Sequence, residues 1–256
     1  MSTDVIDLRD FYDSALGQIV KEKSQSILRT VWDPKASQGQ NQAQNQVIVG
    51  LGYTLPLFEC CPHDDKSSIF AFMPDQQGVL GWSKKQSIPS ALIEEDMLPL
   101  PDRSVDRLLI VHALEHSHDP EHLLREAWRV LTSEGRLFII TPNRRGLWAR
   151  FDNTPFGHGR PYTMTQLSDL LRNTLFTPTH LLRGLYTPPS NSKIIMGLSP
   201  LIEKIGPCCL QKFSGLVCIE SVKQVYGPIY DYEKIPWRKR FRISLAPRRL
   251  GQPVGV

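Results

Sequence analysis

Residues 94–143 read EEDMLPLPDRSVDRLLIVHALEHSHDPEHLLREAWRVLTSEGRLFIITPN, and this stretch decides the fold. An apolar run at 108–111 is followed by a helical pattern over 120–131, and a second apolar run follows at 136–141. The two runs have the length of buried strands, and the segment between them repeats its apolar residues with a helical period. The stretch therefore predicts a strand–helix–strand unit with a right-handed crossover.

The ends of this helix carry their own signals. Asp119 is a good N-cap, and Pro120 suits the first helical position because its missing N–H is not needed there. The apolar stripe consists of Leu123, Leu124, Ala127, Val130 and Leu131. Gly135 follows the last turn and is predicted to be the C-cap.

Further strands are predicted on both sides of this unit. Apolar runs at 47–49, 69–73 and 91–93 precede it, and the segments 180–186 and 216–222 have an extended pattern. Strands that alternate with helices predict an α/β domain with a mostly parallel sheet.

Helical spacing of apolar residues also occurs outside the central unit. It predicts one long helix over 6–32, which an Asp-Pro pair ends, and a helix that begins at Thr163 or Thr165. A third, apolar helix is predicted over 193–205 and is expected to stop at Gly206, which a proline follows.

Composition and cysteine usage exclude several classes of protein. The 256 residues are 41% hydrophobic and 22% charged, which is ordinary for a globular protein. The sequence contains no apolar run near the roughly 20 residues that a membrane span needs, and the N-terminus does not resemble a secretory signal. Five cysteines, four of them in adjacent pairs, make a poor disulfide framework and show no CxxC metal spacing. A cytoplasmic location and no metal site are expected.

Charge is unevenly distributed along the chain. Residues 228–256 hold seven Lys or Arg against two acidic residues, a net charge of +5, which leaves −1 on the rest of the chain. We expect one domain over 1–227, including the N-terminal helix, and a basic, flexible tail over 228–256. Such a tail can contact nucleic acid or anionic lipid, or can simply be solvated.

Gly50-Leu51-Gly52 follows the first apolar run, at the turn where open parallel sheets bind ligands. Glycines there let the backbone pass close to a ligand. A dinucleotide fingerprint would place a third glycine where Leu55 stands, so a dinucleotide pyrophosphate site is disfavoured.

The central stretch also carries a more specific pattern: LPLPD at 98–102, LEH at 114–116, RVL at 129–131, Gly135 and PN at 142–143. In order and spacing it resembles the class I S-adenosylmethionine (SAM)-dependent methyltransferases of the type 11 group. The motifs LGYTLP, MPxxQG and TPFGHGRPY are similar to those of a bacterial subgroup of that family. The resemblance implies a Rossmann-like, seven-stranded, mostly parallel sheet of order 3-2-1-4-5-7-6 with helices on both faces.

The resemblance implies SAM as the cofactor, bound where four predicted strands end. The cofactor-binding residues carried over are Gly50, Leu51, Gly52, Tyr53, Thr54, Met73, Pro74, Asp75, Gln77, Glu94, Glu95, Asp96, Met97, Val111, His112 and Ala113. In the family, the glycines would face the methionine part, the acidic pair at 94 and 95 the adenine, and residues 111–113 the sulfonium.

One position departs from the family pattern. The family usually ends its second strand with an acidic residue that holds the ribose hydroxyls, whereas here that strand ends with Met73-Pro74. Either Asp75 or Gln77 replaces the carboxylate, or the ribose is held weakly. Charged hydrogen bonds contribute about 1.5–3 kcal/mol, so the loss of one corresponds to roughly 10- to 100-fold in affinity.

Further residues are candidates for the substrate side and for catalysis. The substrate-side candidates are Glu115, His116, Asn143, Arg144, Trp148 and Phe156. His112 could act as a general base beside the methyl donor, or could be a polar residue at a strand end that lines the pocket. Trp148 and Phe156, with Phe151, could form an aromatic lid or could pack in the core.

The function implied by the resemblance is SAM-dependent methyl transfer to a small-molecule acceptor. The alternative is a degenerate methyltransferase fold that acts as a binding or regulatory protein, since the acidic residue that binds the ribose in the family is missing at the end of the second strand. Methylation of nucleic acid is disfavoured because residues 112–115 read HALE, and not a DPPY- or NPPY-type tetrapeptide. The sequence does not indicate an oligomeric state.

Overall fold

A seven-stranded sheet forms the centre of the structure, a computed structural model that describes residues 4–32, 46–59, 67–78, 88–94, 97–190 and 192–225. The strands are β1 (Gln46–Gly52), β2 (Ser67–Pro74), β3 (Ser90–Ile93), β4 (Val105–Val111), β5 (Leu131–Pro142), β6 (Phe176–Gly184) and β7 (Leu216–Lys223). Their order is β3-β2-β1-β4-β5-β7-β6, and β7 runs antiparallel to both of its neighbours while the other pairs are parallel. The predicted order and the mostly parallel sheet are confirmed.

Helices cover both faces of this sheet. They are α1 (Val5–Asp13), α2 (Ala15–Trp32), α3 (Leu55–Phe58), α4 (Pro120–Val130), α5 (Met164–Asn173), α6 (Lys193–Gly197) and α7 (Ser199–Cys209). Because successive strand residues point to opposite faces, Leu109 packs with α1, α2 and α3, whereas Leu108 packs with α4 and α5. Within the described ranges, no helix is both long and apolar enough to cross a membrane.

Helix α4 begins as its sequence predicts and ends earlier. The Asp119 carboxylate accepts from the backbone N–H of His122 at 3.0 Å, which caps the first turn. The prediction of Gly135 as the C-cap is wrong, because Leu131 already has extended dihedrals and begins β5. Leu131 is buried and pairs with Val105 of β4, so packing in the sheet ends the helix.

The predicted helix over 6–32 is two helices. Ser14 between them is extended, and its Oγ accepts from the Gly17 N–H at 3.0 Å, so a new helix begins there. The break lets α1 turn onto the sheet edge: the Val5 N–H donates to the carbonyl of Gln77 at 2.8 Å. A serine that caps a helix competes with helix continuation at the same residue.

The predicted helix over 193–205 is also two helices, α6 and α7. The break falls at Leu198, just before Pro200, whose missing N–H is tolerated in a first turn and not in a helix interior. The expected stop at Gly206 is wrong as well, because α7 continues through Pro207 to Cys209.

The carboxyl ends of β1 to β6 share one edge of the sheet, here called the carboxyl edge, and β7 begins there. Most of the predicted site residues follow strands that end at this edge. Glu95 and Asp96, the cysteines at 60 and 61, and the predicted tail over 228–256 lie outside the described residues. The division into a domain and a tail therefore stays a prediction.

Candidate functional site

The ends of β1 and β4 approach each other so closely that position 52 needs glycine. Gly52 has a φ of +82°, and a Cβ built on it would overlap the carbonyl of Val111 and approach Ala113. The N–H of Tyr53 donates to the same carbonyl at 2.9 Å. The turn after β1 is thereby fixed against the end of β4.

The turn then folds back over β1 through α3. A Cβ on Gly50 would overlap Thr54 Oγ1 and the ring of Phe58, so this side of Gly50 faces protein. Thr54 is fully buried, and its Oγ1 has no hydrogen-bond partner within the described ranges. A buried hydroxyl without a partner costs about 1–3 kcal/mol, which a ligand with a polar group can recover.

Two residues after β2 are candidates to replace the family's ribose-binding carboxylate, and they differ in burial. Asp75 is exposed, and its Oδ1 accepts from the Gln76 N–H at 2.7 Å. Gln77 is 3% exposed, and its Nε2 donates to the carbonyl of His112 across the end of β1. Its Oε1 finds no partner among the residues that the structure covers. Gln77 is therefore buried against the end of β4, while Asp75 is exposed beside it; Met73 and Pro74 before them are buried.

The end of β3 is open to solvent. Glu94 is exposed, and Met97 beyond it has 68% of its surface exposed. The N–H of Asp75 donates to the carbonyl that precedes Glu94 at 2.9 Å, so the two acidic residues follow neighbouring strand ends. They form an acidic rim beside the buried part of the site.

His112, the residue after β4, is held from two sides. It is buried and has a φ of +54°, a region that few residues other than glycine adopt. Its Nε2 lies 3.0 Å from Tyr12 Oη, and its Nδ1 lies 3.2 Å from Glu115 Oε1. Tyr12 belongs to α1, and sequence reasoning missed it because no local pattern links two residues 100 positions apart.

Burial and charge set the proton positions in this cluster. Burial raises the pKa of the Tyr12 hydroxyl far above its ordinary value, and the charges of Tyr53 and Glu115 raise it further. The hydroxyl therefore keeps its proton, and it can donate a hydrogen bond to Nε2 of His112 when the other ring nitrogen carries the imidazole proton. In that tautomer Nε2 carries the ring lone pair, and Nδ1–H donates a hydrogen bond to Oε1 of Glu115. We call these three residues the Tyr12–His112–Glu115 chain.

Glu115 completes a group of buried acceptors. Its side chain is fully buried, and Oε2 has no hydrogen-bond partner in the described part of the chain. Thr54 Oγ1, Gln77 Oε1 and Glu115 Oε2 thus follow the ends of β1, β2 and β4 as three unsatisfied acceptors. Burial lowers the pKa of neighbouring His116, against the opposing charge of Glu115.

The predicted aromatic residues pack in the core beside this chain. Trp148 and Phe156 are each 1% exposed, with their ring centroids 5.2 Å apart, and Phe156 lies 5.0 Å from the His112 ring. Phe11 of α1 contacts both in edge-to-face geometry. This arrangement favours the core-packing alternative, in which the aromatic residues fix α1 over the carboxyl edge.

The central segment of the chain is similar to known methyltransferases. Residues 75–139 match the family described as a methyltransferase domain. A probable SAM-dependent methyltransferase of Mycobacterium tuberculosis is 36% identical over 94 residues, which are 36% of this chain and 34% of that protein. Another from Mycolicibacterium smegmatis is 36% identical over 81 residues, 31% of this chain and 31% of that protein. The aligned part spans about a third of the length of these relatives.

Solved structures share the fold. A SAM-dependent methyltransferase of Thermotoga maritima, described as a possible histamine N-methyltransferase, has a TM-score of 0.59 at 17% identity and covers 86% of this chain and 96% of its own. The fold is that of a class I methyltransferase. A geranyl diphosphate methyltransferase in complex with GPP and sinefungin has a TM-score of 0.52 at 11% identity, with 78% and 76% coverage.

The class I methyltransferase fold implies SAM as a cofactor, and the buried acceptors fit it. SAM carries a cationic sulfonium, an ammonium and ribose hydroxyls, which are positive charges or hydrogen-bond donors. Thr54 Oγ1, Gln77 Oε1 and Glu115 Oε2 are acceptors that lack donors among the residues described. Buried polar groups are normally paired, so three unpaired oxygen atoms on residues that follow neighbouring strand ends agree with a ligand of this chemistry.

Asn143 and Arg144, predicted on the substrate side of the methyltransferase fold, differ in their surroundings. Asn143 is buried, and its Nδ2 donates to the carbonyl of Ser214 at 2.8 Å while its Oδ1 accepts from the Arg145 N–H at 3.1 Å. It therefore holds the turn after β5 against the start of β7. Arg144 is exposed, and its N–H donates to the carbonyl of Tyr162 at 3.0 Å.

Proposed function

We propose that this chain transfers the methyl group of SAM to a small-molecule acceptor. The observation that carries the proposal is the set of three buried, unsatisfied acceptors at the carboxyl edge, on Thr54, Gln77 and Glu115. They lie where a sheet of this class binds its ligand, outside the carboxyl ends of the strands. The names of the relatives and the matched segment over 75–139 support the same activity.

The cofactor would be held by residues of two kinds. The buried acceptors would pair with its cationic and donor groups, and the exposed carboxylates of Asp75 and Glu94 would take its ribose and adenine at the rim. Bound SAM supplies an activated methyl group on a good leaving group. The protein mainly has to align the acceptor and remove one proton.

The Tyr12–His112–Glu115 chain is suited to remove that proton. An O–H or N–H of the acceptor would give its proton to Tyr12 Oη as the Tyr12 hydroxyl proton moves to Nε2 of His112. Glu115 Oε1, 3.2 Å from Nδ1, would stabilise the imidazolium that results. His112 thus acts as the general base through Tyr12, because Tyr12 occupies its lone pair.

The position of α1 supports a small acceptor, and the free cysteines support a reducing compartment. Helix α1 lies over the carboxyl edge, with Tyr12 and Leu8 buried beneath it, and a macromolecular substrate would have to displace it. Cys208, Cys209 and Cys218 are free thiols, which agrees with a cytoplasmic location.

Calorimetric titration of the full chain with SAM tests the proposal. The wild type is expected to bind, and Glu115→Gln is expected to bind roughly 10- to 100-fold more weakly because a charged acceptor is lost. Glu134→Gln, which changes an exposed glutamate of β5, is the matched control and should bind as the wild type does. Circular dichroism would establish that the variants are folded.

Two results would contradict the proposal. Absence of heat from the wild type at millimolar SAM would leave the degenerate fold with a binding or regulatory role. Unchanged affinity in Glu115→Gln would remove the buried acceptors from the cofactor site. A separate experiment tests the class of acceptor. Incubation of the wild type with methyl-labelled SAM and a bacterial extract should place the label in the small-molecule fraction, and not in nucleic acid or protein.

A further inference from the structure

Helix α7 faces the protein with its polar and small residues. Ser199, Glu203 and Gly206 are spaced four and three positions apart, so they lie on one face of the helix. Glu203 Oε1 accepts from the N–H groups of Tyr186 and Thr187 at 2.6 and 2.9 Å, and Ser199 Oγ lies 2.8 Å from the Thr187 hydroxyl. These bonds attach α7 to the chain that follows β6.

Gly206 brings the last part of the same face into contact. A Cβ on Gly206 would overlap the ring of Tyr186, so the helix backbone lies directly on that ring. The buried residues of α7 are Ser199 and Gly206, and α6 has none among its described residues. Polar and small residues therefore make the fully buried part of this attachment, and Ile195, Met196 and Ile202 are half-buried beside them.

The outer face of the same segment is apolar. Exposed large hydrophobic residues in α6, α7 and the turn after them are Ile194 (76%), Leu198 (47%), Leu201 (54%), Ile205 (49%), Leu210 (41%) and Phe213 (52%). An amphipathic helix on a protein surface normally buries its apolar face, and α7 exposes it. Exposed apolar patches mark sites of interaction, and these six side chains all lie within residues 194–213. We call it the α6–α7 surface.

The exposed charges of the segment 192–213 have one sign. Lys193, Lys204 and Lys212 are exposed at its start, middle and end. Glu203 is the one acidic residue of the segment 192–213, and it is turned inward, with Oε2 3.2 Å from the ammonium of Lys23. Cationic charge beside exposed apolar residues is the pattern of a helix that lies in the headgroup region of an anionic bilayer.

Topology places the α6–α7 surface at the carboxyl edge. Strand β6 ends at this edge and β7 begins there, since β7 is antiparallel to β5 and to β6. The connection over 185–215, with both helices, therefore lies on the same edge as His112. A link joins the two regions, because Trp148 Nε1 donates to the carbonyl of Thr187 at 2.8 Å.

We propose that the α6–α7 surface docks on an anionic lipid membrane, with its apolar side chains in the headgroup region and its three lysines on lipid phosphates. A second copy of the chain is a poorer occupant. A two-fold interface would place the same cationic patch on both sides, so the lysines of the two copies would be brought together. The proposal does not depend on methyl transfer, and vesicle binding and SAM binding are measured separately.

Sedimentation of the full chain with vesicles tests the proposal. Vesicles of phosphatidylcholine with about 30% phosphatidylglycerol are expected to bind the wild type at least tenfold more strongly than phosphatidylcholine alone, because each lysine near an anionic surface contributes about fivefold. The triple variant Leu201→Ser, Ile205→Ser, Phe213→Ser should lose at least tenfold of the binding. The matched control is Leu92→Ser with Leu181→Ser, which changes leucines of similar exposure in β3 and β6.

Each other outcome overturns the proposal. Equal binding of the triple variant and the wild type would mean that another part of the chain, such as the basic residues over 228–256, makes the lipid contact. Equal loss in the control variant would show that the effect is not specific to the α6–α7 surface. If light scattering shows a wild-type dimer that the triple variant abolishes, and vesicles bind neither, the surface is an interface between copies.

Discussion

Helices α4 and α7 are both eleven residues long, but α4 buries its apolar face and α7 buries a face of polar and small residues. Helix α4 turns Leu123, Leu124, Ala127 and Val130 into the core. Helix α7 turns Ser199, Glu203 and Gly206 inward and leaves Leu201 and Ile205 in solvent. Both sequences predict a helix, so the difference arises from the surface on which each helix lies.

Helix α4 lies on the apolar side chains of a parallel sheet, which only an apolar stripe can cover. Helix α7 lies on an irregular connection whose backbone N–H groups, at Tyr186 and Thr187, need an acceptor. A buried N–H without a partner is costly, so a carboxylate is the suitable side chain there. The apolar residues of α7 are then left on the outside, available to a partner.

The largest expected effect separates the leucines of the two helices. Leu124→Ala removes a fully buried side chain from the core and should lower the free energy of unfolding by about 2–5 kcal/mol. Leu201→Ala, on the outer face of α7, should change it by less than about 0.5 kcal/mol. Urea denaturation of both variants measures the difference, and a similar loss in both would mean that Leu201 is covered in the free protein.

A smaller effect separates the glutamates of the two helices. Glu203→Ala leaves the N–H groups of Tyr186 and Thr187 without their acceptor and should destabilise the protein by about 1–3 kcal/mol. Glu121→Ala on α4 removes an exposed pair with Arg125 and should cost less than about 0.5 kcal/mol. Thermal unfolding compares the two variants, and the comparison fails if Glu121→Ala is the more damaging one.

The positions of the strands could be predicted because buried strands are short apolar runs that glycine or proline often ends, whereas their order followed only from the resemblance to the methyltransferase family. All seven predicted strands are present, and the cap at Asp119 is made as expected. The errors fall at helix boundaries, at Ser14, Leu131 and Leu198, where a cap, a sheet contact or a proline decides between two local options. Such choices depend on tertiary contacts that a periodic pattern does not contain.

The placement of the candidate site residues was predictable only where those residues follow strand ends. His112, Glu115 and Gln77 lie together at the carboxyl edge, as expected for the ends of neighbouring parallel strands. Tyr12 was not predictable, because its contact with His112 depends on how α1 is placed after the break at Ser14. The sequence also could not predict that α7 turns its apolar face outward, since periodicity gives the width of an apolar face and not the side of the helix that is buried.

The smallest expected effect concerns the polar end of α4, which, like the inner face of α7, is attached by a carboxylate. Glu126 accepts from Arg129 at 2.8 Å and from the Leu98 N–H at 3.1 Å. The hydrogen bond from Arg129 lowers the pKa of Glu126 below 4.5, against the effect of burial, and the Leu98 N–H lowers it further. A folded-state pKa below the unfolded value gives stability that is present above pH 4.5 and is lost as the pH falls through the folded value.

Glu126→Gln should therefore be less stable than the wild type by about 1 kcal/mol at neutral pH, and the difference should shrink as the pH falls below 4.5. Urea denaturation across this range gives the free energy of unfolding at each pH. In an Arg129→Gln background, the same substitution should alter the pH dependence less, because the main cause of the lowered pKa is gone and only the Leu98 N–H remains. If Glu126→Gln alters the pH dependence equally in the two backgrounds, Arg129 does not lower this pKa, and the parallel between the carboxylates of α4 and α7 loses its basis.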